Sequence, residues 1–211
     1  MFHRLLSAFA LALGCGAANA AVVEIAVVDQ KGRPAANAVV SLSPDTPGIA
    51  SHVQGRSVID QQHETFLPLV VVVRRGGEVV FTNNDTTMHQ VYSFSPIKQF
   101  QFEIDRGRVS KPVVFDKAGV AAIGCNIHDG MVAYVFVADM PFAAVSDASG
   151  RIQFRDVPDG AWQASVWHPQ LRVGRPPAPT ALTVAGDARL TLTAPLAAAM
   201  PAMSRMHKSD Y

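Results

Sequence analysis

Three residues of soft-donor type lie three apart near the middle of the chain. They are Cys125, His128 and Met131, in the stretch "GCNIHDGMVAYVFV" (124–137). A thiolate, an imidazole and a thioether suit copper better than calcium or magnesium, which prefer oxygen ligands. Cys-x-x-His alone is a weak signal. A free cysteine in a β core is commonly just a small buried side chain, and methionine fills core gaps. The surroundings sharpen the reading: Cys125 closes one apolar segment, His128 and Met131 lie in the next loop, and an alternating run follows. A tight loop between two strands brings such side chains to one point. Two His and one Cys with a weak axial Met make an electron-transferring copper centre, so a second imidazole is required. His89 is the candidate, because it follows "FTNNDTTM" at the start of a predicted strand. The expected ligands of one copper ion are therefore His89, Cys125, His128 and Met131. Glu64, in "DQQHETFLP", is a rival oxygen donor for the place of Met131, and His63 beside it reads as a surface residue.

The elements that position these residues read as strands. Val22 to Val28 alternates, "DQKGRP" is a turn, and "NAVVSLSP" (37–44) is a second strand, which together predict a hairpin. Residues 44–55 read as a loop. "FLPLVVVVRRGGEVVFTNND" (66–85) contains two strands around Gly76 and Gly77, and "HQVYSFS" begins another. "KPVVFDKAGVAAIGC" (111–125) adds two around Gly119, and Met131 to Ala138 is the last of this block. From Phe142 onward, short strands alternate with Asp-x-x-Gly and Pro-Asp-Gly turns, and 178–195 reads as one more hairpin. Long helical periodicity is absent. The fold class is all-β.

The first twenty residues, "MFHRLLSAFALALGCGAANA", combine one positive charge, a short apolar stretch and a small-x-small site at Ala18-Asn19-Ala20. That is the pattern of a secretory signal peptide. Cys15 is a rival lipid-attachment cysteine, disfavoured by Ala12 three residues before it. No other segment is long and apolar enough to be a permanent membrane span. Loss of Arg4 with the signal takes the balance from 18 basic residues to 17, against 17 acidic ones. That neutrality argues against a nucleic-acid partner, which calls for a basic surface. Cys125 would then be the only cysteine. An exported chain with one thiol cannot form an internal disulfide, so burial, a partner chain or a metal must protect it.

Residues 56–139 resemble the cupredoxin, or blue copper, family. Upstream, Phe66, Pro68, Gly77, Val79, Phe81, Asn83, Asp85 and His89 follow its order. Downstream, Phe115, Gly119, Cys125, His128, Met131 and the run from Val132 to Val137 do the same. The Cys-x-x-His-x-x-Met spacing is that of short-loop, amicyanin-like members. Ala121 and Ile123 stand where aromatics are frequent, and Gln90 where Asn is common. More narrowly, "HQVYSFSP", "PVVFDKAG" and "GCNIHDGM" resemble exported methylamine utilisation protein-like cupredoxins. The flanks resemble a carboxypeptidase-regulatory-like, transthyretin-like sandwich. "VEIAVVDQKGRPAANAVVSL" matches its first part, and Asp147, Gly150, Phe154, Pro158, Gly160 and Trp162 match its middle.

The resemblance implies a cupredoxin Greek-key β-sandwich plus a second small β-sandwich. The expected order is signal peptide 1–20, first part of the flanking sandwich 21–55, inserted cupredoxin domain 56–139, remainder of the sandwich 140–195, and a disordered tail 196–211. It implies a periplasmic, mononuclear type 1 copper protein passing single electrons between redox partner proteins. His128 would be the more exposed imidazole and His89 the more enclosed one. The alternative is periplasmic copper storage or delivery, for which Met200, Met203, Met206 and His207 in the tail would supply further soft donors. An enzyme is not expected: the chain has no His-x-His pairs for a multicopper cluster and no evident Ser-His-Asp or paired-carboxylate set. His168, in Trp167-His168-Pro169, reads as a structural surface residue.

Overall fold

Period-two burial governs the whole architecture. In β1 (Ala21–Val28), Ala21, Val23, Ile25 and Val27 point inward while their neighbours stay half-exposed, as a strand with one covered face requires. The computed structural model describes residues 21–45, 48–171 and 176–197. The predicted signal peptide and the Met-rich tail beyond residue 197 lie outside the described residues. All sixteen elements among the described residues are strands. Among the described residues, no helix is long and apolar enough to cross a membrane.

After β1 come β2 (Val39–Pro44), β3 (Arg56–Gln62), β4 (Thr65–Leu67), β5 (Val70–Arg74) and β6 (Gly77–Asn83). They are followed by β7 (His89–Ser95), β8 (Lys98–Ile104), β9 (Val113–Phe115), β10 (Gly119–Cys125) and β11 (Val132–Ala138). The chain closes with β12 (Phe142–Val145), β13 (Arg151–Val157), β14 (Gly160–Trp167), β15 (Thr180–Val184) and β16 (Ala188–Thr193).

Four sheets result. Two of them, ordered β13-β1-β16 and β12-β2-β14-β15, enclose a core that includes Ile25, Val40, Leu42, Phe142, Phe154 and Trp162. The Trp162 indole N–H donates to the Pro158 carbonyl at 3.0 Å, so its polar atom is satisfied. The other two, β5-β11-β10-β7-β8 and β4-β3-β6-β9, enclose Ile59, Phe66, Phe81, Phe115, Ile123 and Val135. Cys125 and Met131 belong to this second core.

The chain leaves the first pair of sheets after β2 and re-enters as β12, which pairs directly with β2 (Phe142 opposite Leu42). The strands between them, β3 to β11, contribute only to the second pair of sheets. The two bodies meet along a third apolar cluster. Val70 and Val72 of β5, with Ala138 of β11, pack on Val39 of β2. Trp167 stands edge-on to Tyr134, with ring centroids 5.6 Å apart, and tilted to Phe136 at 5.9 Å.

Two expected hairpins are corrected. β1 and β2 do not pair: β1 joins β13 and β16, while β2 joins β12 and β14. β15 and β16 also part company, β15 pairing with β14 and β16 running parallel to β1. In both cases the connection, residues 29–38 and 185–187, carries the chain from one sheet of the sandwich to the other. The structure adds β3 and β8 to the predicted strands and divides the one predicted from Phe66 into β4 and β5. β8 alternates in "KQFQFEI", with its phenylalanines half-buried and Gln99, Gln101 and Glu103 exposed.

Candidate metal centre

His89 opens β7 and Cys125 closes β10, and these two strands are antiparallel neighbours with Cys125 opposite Val91. This pairing brings two residues thirty-six positions apart to one end of the second sandwich. Beyond Cys125 the chain stays attached to β7: the Asn126 backbone N–H donates to the Gln90 carbonyl at 3.2 Å, and its side-chain amide donates to Gln90 Oε1 at 2.9 Å. Gln90, where the resemblance favours Asn, thus ties the two ligand-bearing segments together. The loop then turns back through Gly130, whose φ of 80° suits glycine. This turn folds His128 over the strand ends.

The three side chains converge. Nδ1 of His128 lies 3.1 Å from Nδ1 of His89, and Sγ of Cys125 lies 3.6 Å from the same atom. One donor atom from each of His89, Cys125 and His128 lies within 4.8 Å of the others. The rings stand nearly edge to face, with centroids 4.8 Å apart. His89 is fully buried and Cys125 is 8 % exposed. The His128 side chain keeps 18 % of its surface open. Met131 is buried in the same core, immediately before β11. Cys125 is a free thiol.

These separations fit a shared ion. Two nitrogens about 2 Å from one first-row ion, at an angle of about 100°, stand about 3.1 Å apart, and a sulfur about 2.3 Å from it, at about 110°, stands about 3.6 Å from a nitrogen. The donor set of thiolate and imidazoles, with a thioether in the same core, suits copper.

The outward faces of both imidazoles are also held. His89 Nε2 lies 3.1 Å from Asp85 Oδ2. A carboxylate only accepts, so Nε2 carries the proton and Nδ1 is left with a free lone pair toward Cys125 and His128. The backbone N–H of Glu64 donates to Asp85 Oδ2 at 2.7 Å, and the N–H of Thr86 donates to Oδ1 at 2.8 Å. The Glu64 N–H, against the opposing cost of burial, and then the Thr86 N–H and His89 lower the Asp85 pKa to about 2. Asp85 is therefore a fixed anion. Its own N–H donates to Asn83 Oδ1 at 2.9 Å, and the buried Asn83 amide donates to the carbonyls of Thr87 and Ile104. That network shapes the loop from Asn83 to His89. On the solvent side, Glu64 Oε1 lies 3.8 Å from His128 Nε2. Glu64 therefore flanks the outer nitrogen of a predicted ligand.

In the sequence, Asp85 is marked only by the resemblance, and nothing marks Asn126. An i, i+4 Asp–His pair is common in any chain, and its meaning depends on burial. His168 corrects an expectation: it is 7 % exposed rather than a surface residue. Its Nε2 donates to the Ala36 carbonyl and its Nδ1 accepts from the Gln170 N–H, each at 3.0 Å. Both ring nitrogens are consumed, so it is a structural histidine.

Fold and site together define an all-β protein of two sandwiches, one of which carries a preassembled Cys–His–His cluster at its end. No protein-family model and no curated protein sequence matches the chain. Solved structures do resemble part of it. A purple cupredoxin from Nitrosopumilus maritimus is 23 % identical, with 39 % of this chain and 99 % of that one covered, at a TM-score of 0.36. Amicyanin from Paracoccus versutus is 20 % identical, covering 46 % and 92 %, at a TM-score of 0.35. A Cu-containing nitrite reductase from Thermus scotoductus is 19 % identical, covering 46 % of this chain but 25 % of the reductase, at a TM-score of 0.37.

Proposed function

We propose that the chain is an exported, mononuclear type 1 copper protein that carries single electrons between redox partner proteins. The observation that carries this reading is the convergence of Cys125 Sγ with the Nδ1 atoms of His89 and His128. Residues 56–139 form the copper-binding unit, held within a split sandwich of 21–55 and 140–195. His89, Cys125 and His128 would hold the ion, and Met131, buried in the same core, would add a thioether donor. Copper bound there supplies a one-electron couple between its cuprous and cupric states.

The protein's part is to hold the donors still. Asp85 pins the buried imidazole, the Gln90–Asn126 pair pins the cysteine segment to β7, and the core around Met131 excludes water. Ligands that move little between two oxidation states keep the barrier to electron transfer low. His128 is the least buried of the three and is the port for a partner. Such encounters are brief and small in area.

The test is the visible and paramagnetic-resonance spectra of copper-loaded protein beside Cys125→Ser and His128→Ala. An intense charge-transfer band in the red, absent from Cys125→Ser, is expected. A colourless oxidised wild type overturns the reading. Loss of copper upon reduction would favour storage or delivery instead, because a carrier keeps its ion through the cycle.

A further inference from the structure

The two-residue turn between β3 and β4 holds His63 and Glu64 in the left-handed region, with φ of 50° and 55°. Hairpins that need this geometry favour Asn-Gly or Gly-Gly, because a side chain is disfavoured there. Such strain in a non-glycine pair persists only where the surroundings enforce it, and it gathers at functional sites. Both residues are exposed, so no core packing requires either side chain.

Glu64 lies on the outer side of both imidazoles, reaching that of His89 only through Asp85. Its backbone N–H donates to Asp85 Oδ2 at 2.7 Å, and that same oxygen faces His89 Nε2 at 3.1 Å. Its carboxylate lies 3.8 Å from His128 Nε2. Glycine at 64 would supply the N–H and relieve the backbone. Only the carboxylate distinguishes glutamate, and His128 Nε2 is the group it approaches.

We infer that Glu64 is a positioning residue for the proposed metal centre: its turn braces Asp85 behind the buried imidazole, and its carboxylate, 3.8 Å from the outer nitrogen, orients the solvent-facing imidazole by charge and not by a direct hydrogen bond. This rests on the copper reading above. Unlike Asp85, Glu64 acts from solvent. It therefore orients His128 without closing the surface through which a partner would approach, and an incoming cationic group could take its carboxylate away. The ligand on the open side of the site is then the adjustable one.

The test uses the full chain with Glu64→Gln and Glu64→Gly, and copper ions as the probe. In metal-free protein, nitrogen-15 NMR reads the two His128 ring nitrogens. Both variants should shift the Nε2 signal while leaving those of His89 in place. Outer-shell contacts change metal affinity by about 10- to 100-fold when buried, and an exposed contact is worth less. Copper should therefore leave both variants about 3- to 10-fold faster than wild type. Glu64→Gly should melt at a higher temperature than wild type, because the left-handed turn is relieved. Faster release from a more stable protein is a combination that a merely structural role does not produce.

Unchanged His128 signals and wild-type release rates in both variants overturn the inference while leaving the copper reading intact. If wild type itself takes up no copper, as Cys125→Ser should not, the copper reading fails and the inference with it. If glutamate at 64 serves only the fold, Glu64→Gly will lose stability, and that also overturns it.

Discussion

The Asp85 carboxylate and the His89 imidazole meet at 3.1 Å in an almost dry setting, with His89 fully buried and Asp85 8 % exposed. The anion fixes which nitrogen of His89 carries the proton. It therefore fixes which nitrogen faces Cys125 and His128, whether or not an ion is present.

Replacing Asp85 with Ala strands the buried Nε2–H of His89. Leaving such a donor unpaired costs about 1–3 kcal/mol. Urea unfolding of the metal-free protein should show a loss of that size, and copper affinity should fall by about 10- to 100-fold. A variant that matches wild type in both would mean that the pair contributes nothing.

Gly150 lies in the other sandwich with φ of 73°, and a Cβ there would stand 2.5 Å from the Val27 carbonyl oxygen. The obstacle is backbone, so it cannot swing aside. Gly150→Ala should destabilise the protein by at least about 1–2 kcal/mol, read by thermal unfolding. The colour of the copper-loaded folded protein should stay as in wild type, since Gly150 lies in the sandwich that does not carry the cluster.

Trp167 joins the two bodies through Tyr134 and Phe136. Truncating this half-buried ring in Trp167→Ala should cost about 2 kcal/mol of coupling. Calorimetry should then resolve two transitions where wild type gives one. A single transition, shifted or not, would show that the remaining apolar contacts suffice.

His168 is kept neutral: burial, opposed by its bond to the Ala36 carbonyl, lowers its pKa below the ordinary 6.5. Its folded pKa lies below its unfolded one, so its contribution is complete above the unfolded value and is lost as pH falls from there through the folded value. Between pH 7 and about pH 5, the melting temperature should drop in wild type and drop less in His168→Gln. A parallel drop in both would assign the acid sensitivity to other groups.

The strands were largely legible because burial on one face writes itself into the chain with a period of two. β1, β7, β10 and β11 could be read within a residue or two from alternation and glycine turns. Their partners could not. The turn after β1 and the turn before β16 look like hairpin turns, yet both carry the chain across the sandwich. Local sequence sets where a strand bends, while pairing is settled by which distant apolar faces must be covered.

The same division runs through the site. Residue type and spacing alone marked Cys125, His128 and Met131 as soft donors around one loop, because chemical softness is a property of the side chain. The distances of 3.1 and 3.6 Å, the anion behind His89 and the carboxylate beside His128 arise only when β7 packs on β10 and the β3–β4 turn closes over them. Whether an aspartate is a solvated surface charge or a buried anchor depends on what surrounds it. Those surroundings are supplied by segments far away in the chain.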